Sequence, residues 1–365
     1  MLSVAAPHAS MLTGGSSAHR RPRSGESMPD LEFGAYAAPP PARTTASGAL
    51  PLLVVLWYGS SCLAITTSKL CMERARVPFV LCACQFGAAT LLTKALLVLE
   101  DRRKPAAAGG GRAVGAVARV AASYTVGFAL TNTAFSLASA PFVETVKALE
   151  PVSTAALARL RLGDRESIAT YATLAPIVAG VALATGGGVA DAGPDRSLAL
   201  AVVLACNVCF SLRAVFAKEL RRDAPAARAA ASGVALFHDV SRLGLPPLVL
   251  LAAAAERDAL AAALAPAAAP GVLLCRLAVN GVAYAAYNLA SFLVLARVAT
   301  TTHAVLNVFR RVAVIAVTAA VFRVPVSPLN AAGVALAVAG VVAFAASRGG
   351  RSREVAGDAP QTPRS

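Results

Sequence analysis

The sequence predicts an all-α membrane protein, with ten transmembrane helices in two inverted five-helix repeats. Composition is the first reason: the 365-residue chain is 57% hydrophobic and 15% charged, where a soluble domain carries roughly 25% charged residues. The second is that its mean hydropathy of +0.64 is concentrated in ten apolar segments. Each is close to the ~20 residues a helix needs to cross about 30 Å of hydrocarbon. The third is a set of matching blocks in one register: Ser167 with Ser327, Gly180 with Gly340, and Ile177-Val178-Ala179-Gly180-Val181 with Ala337-Val338-Ala339-Gly340-Val341.

Residues 1–49 are rich in Ser, Pro, Ala and Gly and carry the basic cluster Arg20, Arg21 and Arg23. Such a stretch has too little apolar surface to offset the entropy of ordering, so a disordered tail is expected. Its first residues weakly resemble an organelle transit peptide, but Glu26, Asp30 and Glu32 follow soon after, and no secretory signal is recognisable. The apolar segments then run over 51–70, 78–99, 114–136, 140–160, 167–186, 197–217, 230–253, 272–295, 301–322 and 328–347. No water satisfies open strands in hydrocarbon, so these segments must be helical. Several are Ala-rich and are suited to packing through small residues. The expected division is a first repeat over 50–190, a second over 191–347 and a second disordered tail over 348–365. Five spans per half is odd, so the second copy enters the membrane inverted. Repeats of this kind build secondary transporters with a substrate site near the midplane, between the halves.

A formal net charge of +15 in a soluble protein raises the question of nucleic acid. Here the positive charge lies between apolar runs, on loops that alternate in sign preference, so the bilayer is the expected partner and nucleic acid is not. Most loop cations fall in the tail, around 102–119, 159–165 and 218–228, at Arg297, and after 347. The intervening loops hold only Lys69, Arg74, Arg76, Arg196, Arg257 and Arg323. This asymmetry predicts both termini on the cytoplasmic side. Cys206-x-x-Cys209 has no second pair or nearby His, so it reads as two small apolar side chains rather than half a metal site.

Seven cations remain inside apolar segments: Lys94, Lys147, Arg213, Arg242, Arg276, Arg310 and Arg311. Each costs at least ~2.5 kcal/mol there unless paired or solvated by a cavity. Lys94 and Arg276 lie near segment ends and can snorkel. Arg242 follows Asp239 by one helical step, which is an ion-pair spacing, and His238 beside it reads as packing. Lys147 has Glu144 and Glu150 at i−3 and i+3, a local neutralisation. Arg310 and Arg311 have no acid in their segment and point about 100° apart, so an anion must meet them, from another helix or from a ligand. By the repeat register Arg310 corresponds to Glu150, one turn from Lys147, so cations of corresponding helices converge on one cavity. Arg offers a forked donor set and Lys a compact charge, a pairing suited to a phosphate dianion. Gly109-Gly110-Gly111 and Gly186-Gly187-Gly188 lack the context of a phosphate-binding loop, and no HExxH, nucleophile elbow or carboxylate pair is present. Neither an enzyme nor a cofactor or metal is expected.

These residues carry a resemblance. Lys147-Ala148-Leu149-Glu150-Pro151, Thr302-His303-Ala304-Val305-Leu306-Asn307-Val308-Phe309-Arg310-Arg311-Val312, Pro325-Val326-Ser327-Pro328-Leu329-Asn330, Tyr287-Asn288, and Asn207 with Arg213 together resemble the triose-phosphate (sugar-phosphate) translocator family of the drug/metabolite transporter superfamily, over roughly 51–347. The resemblance implies a ten-helix antiporter that exchanges an organic phosphate (a sugar phosphate, triose phosphate or phosphoenolpyruvate-like compound) for inorganic phosphate by alternating access. It implies phosphate contacts from Lys147, Arg310 and Arg311, and substrate contacts from Thr131 and Tyr287, with Arg213 near the cavity. Asn207, Asn288 and Asn307 read as hydrogen-bond partners between helices.

Three positions depart from the family pattern: Phe128 stands where a histidine contacts the organic moiety, Glu144 replaces a histidine before the lysine, and Arg310 replaces a lysine. They keep phosphate recognition and leave the carbon moiety open. The expected partners are a phosphorylated small molecule, inorganic phosphate and the bilayer, for a monomer or weak homodimer. A nucleotide-sugar antiporter and a non-transporting scaffold or receptor of the same fold are the alternative functions. A plastid envelope and a Golgi or endoplasmic-reticulum membrane are both compatible with the tail.

Overall fold

In the computed structural model, which describes residues 49–101, 112–163, 166–186, 195–223, 233–295, 297–298 and 300–357, the apolar segments are helices and no strand occurs among the described residues. They are α1 (Ala49–Arg74), α2 (Pro78–Asp101), α3 (Arg112–Leu137), α4 (Ala140–Val146), α5 (Glu150–Leu162), α6 (Ile168–Ala172), α7 (Leu174–Gly186), α8 (Arg196–Asp223), α9 (Gly233–Ala255), α10 (Arg257–Leu264), α11 (Pro270–Leu295), α12 (Thr300–Val321) and α13 (Pro328–Gly357). Among the described residues, seven spans are long and apolar enough to cross a membrane: Leu50–Arg74, Pro78–Leu99, Ile168–Thr185, Arg196–Leu220, Val234–Ala255, Pro270–Val294 and Pro328–Ser347. The expected segments at 114–136, 140–160 and 301–322 are helical too, but polar side chains interrupt them. Those interruptions supply much of the site described below. The last helix continues to Gly357, ten residues into the stretch expected as a free tail. A long helix already nucleated extends through Arg, Glu and Ala at little cost. The expected N-terminal tail, apart from Ala49, lies outside the described residues.

Local sequence explains the breaks. Pro151 lacks an amide hydrogen and its ring conflicts with the carbonyl four residues back, which belongs to Lys147. The chain answers with a single 3₁₀ turn over Lys147–Leu149 between α4 and α5. Side chains three apart eclipse in that geometry, which puts Lys147 and Glu150 on one face. Ser139 caps α4 by accepting from the Phe142 amide at 3.4 Å. Ser167 accepts from the Thr170 amide at 3.1 Å, and Ser327 accepts from the Asn330 amide at 3.1 Å, so the two serines matched in sequence perform the same capping.

The helices pair antiparallel: α1 along α11, α3 along α8, α2 along α9, and α7 along α13. The last pair crosses backbone to backbone. A Cβ on Gly180 would stand 2.3 Å from the Ala337 nitrogen, and one on Gly333 would stand 2.3 Å from the Ala184 nitrogen. In the centre, Tyr124 and Tyr284, 160 residues apart, share a hydroxyl hydrogen bond of 2.7 Å within a cluster of Phe86, Phe128, Phe210, Phe237 and Phe292. Nearer the end where α1 finishes, a buried amide network ties four helices. Asn280 donates to the Ala64 carbonyl at 2.7 Å, Gln85 donates to Asn280 at 2.8 Å, and Asn132 donates to Gln85 at 3.0 Å.

Glu256, between α9 and α10, is buried and accepts from the Phe79 and Val80 amides at 2.8 Å each. It thereby satisfies two orphan donors of the α2 N-terminus from a remote segment. Burial pushes its carboxyl above the usual range, while these two bonds pull the other way. Glu256→Ala strands both donors at a cost of ~1–3 kcal/mol. The expected outcome is a lower thermal midpoint of the detergent-solubilised protein, read by intrinsic fluorescence.

Candidate anion chamber

Five helices and the α4–α5 break meet around an open chamber, lined by Trp57 of α1, Phe128 of α3, Lys147 and Glu150 of the α4–α5 break, Phe210 and Arg213 of α8, Tyr287, Asn288 and Ser291 of α11, and His303, Asn307, Arg310 and Arg311 of α12. The spacings 303, 307 and 310/311, and 287/288 and 291, are those of single helical faces. The lining continues to Ser291 and His303, each about one turn from a helix end, on the side of the bundle where α1 begins. The amide network lies toward the other side.

Charge in this chamber is arranged as a chain. The Lys147 Nζ lies 3.6 Å from Glu144 Oε1, and the Arg311 guanidinium lies 3.6 Å from Glu144 Oε2. The same guanidinium donates to Glu150 Oε2 at 3.0 Å, and Arg213 lies 3.9 Å from Glu150 Oε1. The anion that the sequence leaves open for Arg311 therefore comes from another helix, across the bundle. Arg310 differs. It donates to Asn307 Oδ1 at 2.7 Å and faces the Trp57 ring at 6.0 Å, and among the described residues no carboxylate lies within ion-pair distance of it. Lys147 and Arg213 both stand over the Phe210 ring, at 5.3 and 5.4 Å, a placement that favours cations in a low-dielectric setting. Lys147, Arg213, Arg310 and Arg311 against Glu144 and Glu150 leave a surplus of two positive charges.

Six of the seven site residues expected from the sequence, Lys147, Arg213, Arg310, Arg311, Tyr287 and Phe128, line this one chamber. Thr131 does not. It is buried with its hydroxyl donating to the Gly127 carbonyl at 2.9 Å and against Cys206 Sγ at 3.0 Å, a back-bond within its own helix that competes with any outward contact. Of the three asparagines read as links between helices, Asn207 is one, donating to the Val146 carbonyl at 3.0 Å. Asn288 donates to Tyr284 in its own helix, and Asn307 accepts from Arg310, also in its own helix. Arg242 pairs with Asp239 at 3.7 Å, as its spacing predicts, and His238 meets the Thr93 hydroxyl at 3.0 Å. Arg276, read as snorkelling, donates to the Leu70 carbonyl at 2.9 Å.

Sequence reasoning missed Trp57, Phe210, Ser291 and His303 as chamber residues. His303 stacks on Trp57 with ring centroids 4.7 Å apart and meets Ser291 Oγ at 3.1 Å. The face that holds Arg310 and Arg311 leads back to His303 by helical periodicity, which is the signal that was available. Trp57, the chain's single tryptophan, carries no such link in sequence.

The model of the Triose-phosphate Transporter family matches residues 49–345. The chain is 27% identical over 304 residues to phosphoenolpyruvate/phosphate translocator 1, chloroplastic, of Arabidopsis thaliana, covering 82% of this chain and 72% of that one. It is 27% identical over 347 residues to phosphoenolpyruvate/phosphate translocator 3, chloroplastic, of Oryza sativa subsp. japonica, covering 92% and 84%. To the xylulose 5-phosphate/phosphate translocator, chloroplastic, of Arabidopsis thaliana it is 30% identical over 240 residues, covering 64% and 55%.

Proposed function

Because the chain belongs to the Triose-phosphate Transporter family, we propose that it is a secondary antiporter that exchanges an organic phosphate for inorganic phosphate by alternating access. The observation that carries this reading is the chamber's surplus of two positive charges, built by Lys147, Arg213, Arg310 and Arg311 against Glu144 and Glu150. A phosphate monoester, with its second pKa near ~6, carries close to two negative charges at neutral pH. Enclosing the empty chamber desolvates an uncompensated double charge, which is costly in a medium of low dielectric. Phosphate cancels it, so closure and reorientation follow occupancy, and net flux in one direction without a return load is suppressed.

Ten transmembrane segments in two inverted five-helix repeats are part of the same proposal. An inverted repeat relates residue i to its partner in the other half, and a contact between two such partners lies on the axis. Tyr124 and Tyr284, 160 apart, make one. At the same offset, the contact of Gly180 with Ala337 exchanges with that of Gly340 with Ile177. The helix pairs α1–α11 and α3–α8 exchange in the same way. The chamber reaches one side and the amide network closes the other, the asymmetry expected of one state of a rocking pair. The proposed setting is a plastid envelope, in keeping with the chloroplastic relatives, with both termini on one side.

Reconstitution tests the exchange. Proteoliposomes loaded with unlabelled phosphate are expected to take up labelled phosphate, and vesicles loaded with sulfate to take up little. Equal uptake by both loads would overturn the antiport reading.

A further inference from the structure

We infer that Glu144 sets the substrate class of the chamber, acting through Lys147 and Arg311 to favour phosphate esters with an uncharged carbon body over phosphorylated carboxylic acids. The inference rests on the antiport reading above and makes it more specific.

Glu144 is 1% exposed and does not line the chamber. It stands behind two of the residues that do, with its two oxygens 3.6 Å from Lys147 and 3.6 Å from Arg311. No ligand in the chamber needs to touch it, yet its charge is fixed beside the cations that a phosphate would meet. The four cations and two carboxylates leave the chamber and its immediate backing with two surplus positive charges. Inorganic phosphate and a monoester of an uncharged alcohol or carbonyl compound bring two negative charges and balance them. A phosphorylated acid brings a third through its carboxylate. That extra charge has no counter-charge left and faces the field of Glu144 at close range. At an effective dielectric near ~20, a unit charge several ångströms away shifts an affinity by about tenfold or more. Glu150 also lines the chamber, but the Arg311 guanidinium donates to it at 3.0 Å, closer than either cation stands to Glu144, so its charge is the better compensated of the two. Glu144 sits one turn earlier, where a neutral side chain of similar size would fit the same space.

The test uses two esters that differ in one group. Glycerol phosphate and phosphoglycerate compete for labelled-phosphate exchange into phosphate-loaded proteoliposomes at pH 8, where both phosphates are dianions. In the wild-type protein, glycerol phosphate is expected to inhibit at a concentration about tenfold lower than phosphoglycerate. Glu144→Gln is expected to shrink that ratio by about tenfold, and Glu144→Asp to restore it. A merely structural role would lower exchange with both esters alike and leave the ratio where it was. An unchanged ratio in a Glu144→Gln protein that still exchanges phosphate overturns the inference. So does a wild-type protein that takes both esters equally, a result that stands even if the Gln variant does not fold. Absence of exchange with every phosphate compound in the wild type removes the antiport reading itself, which is a different result from exchange with the wrong preference.

Discussion

Arg311→Gln is expected to reduce labelled-phosphate exchange by about a hundredfold or more, since breaking a buried charged pair by removing one partner costs ~3–5 kcal/mol. Arg311 is the hub of the chamber. Its guanidinium reaches Glu144 at 3.6 Å and Glu150 at 3.0 Å at once, so it joins α12 to the α4–α5 break. Its removal lowers the surplus from two positive charges to one and takes a cation away from each of the two carboxylates. Arg311→Lys keeps the charge but loses the fork that spans two carboxylates, and an intermediate exchange rate is expected. Arg310→Gln makes a useful contrast. Arg310 is tied to Asn307 rather than to an acid, so the folded protein should elute normally on gel filtration while exchange falls. A folded Arg311→Gln protein exchanging at the wild-type rate would sink the assignment of this chamber to phosphate.

Much of this arrangement is readable in the sequence, because hydrocarbon enforces strict rules. A cation in the middle of an apolar run has to be explained, and that rule singles out Lys147, Arg310 and Arg311, while Arg213 stands out by the family resemblance. The run Lys147 to Pro151 also contains the physics of its own break, since the proline conflicts with the carbonyl of the lysine. What does not show is which helix faces which. Glu144 and Glu150 read locally as partners of Lys147, three residues away on the same chain, yet each also meets an arginine on another helix. Periodicity gives a face without naming its neighbour. Thr131 stands outside the chamber lining for a related reason: a hydroxyl in a helix always has its own backbone as an alternative acceptor, and the sequence does not show which acceptor it takes.

The glycines show how far this limit extends, and Gly180→Leu is the second variant expected to have a large effect. Gly87 and Gly180 are both glycines inside long apolar helices, and nothing nearby in sequence separates them. In the fold, a Cβ on Gly87 meets nothing within 4 Å, whereas one on Gly180 stands 2.3 Å from the Ala337 nitrogen and 2.6 Å from the Gly333 carbonyl oxygen. These are backbone atoms, which cannot turn aside as a side chain can. A leucine there forces α7 and α13 apart along their whole crossing, which also holds Gly333 and Gly340 against the opposite helix. Small residues are what let two membrane helices approach to backbone contact, where dispersion replaces the hydrophobic force that is absent in lipid. The expected outcome for Gly180→Leu is loss of monodisperse protein after detergent extraction. Gly87→Ala should be recovered in full, with a stability gain of up to ~1 kcal/mol from helix propensity. Because α7 and α13 carry none of the charged groups of the chamber, a normally folded Gly180→Leu protein would show that this crossing is not required for the fold.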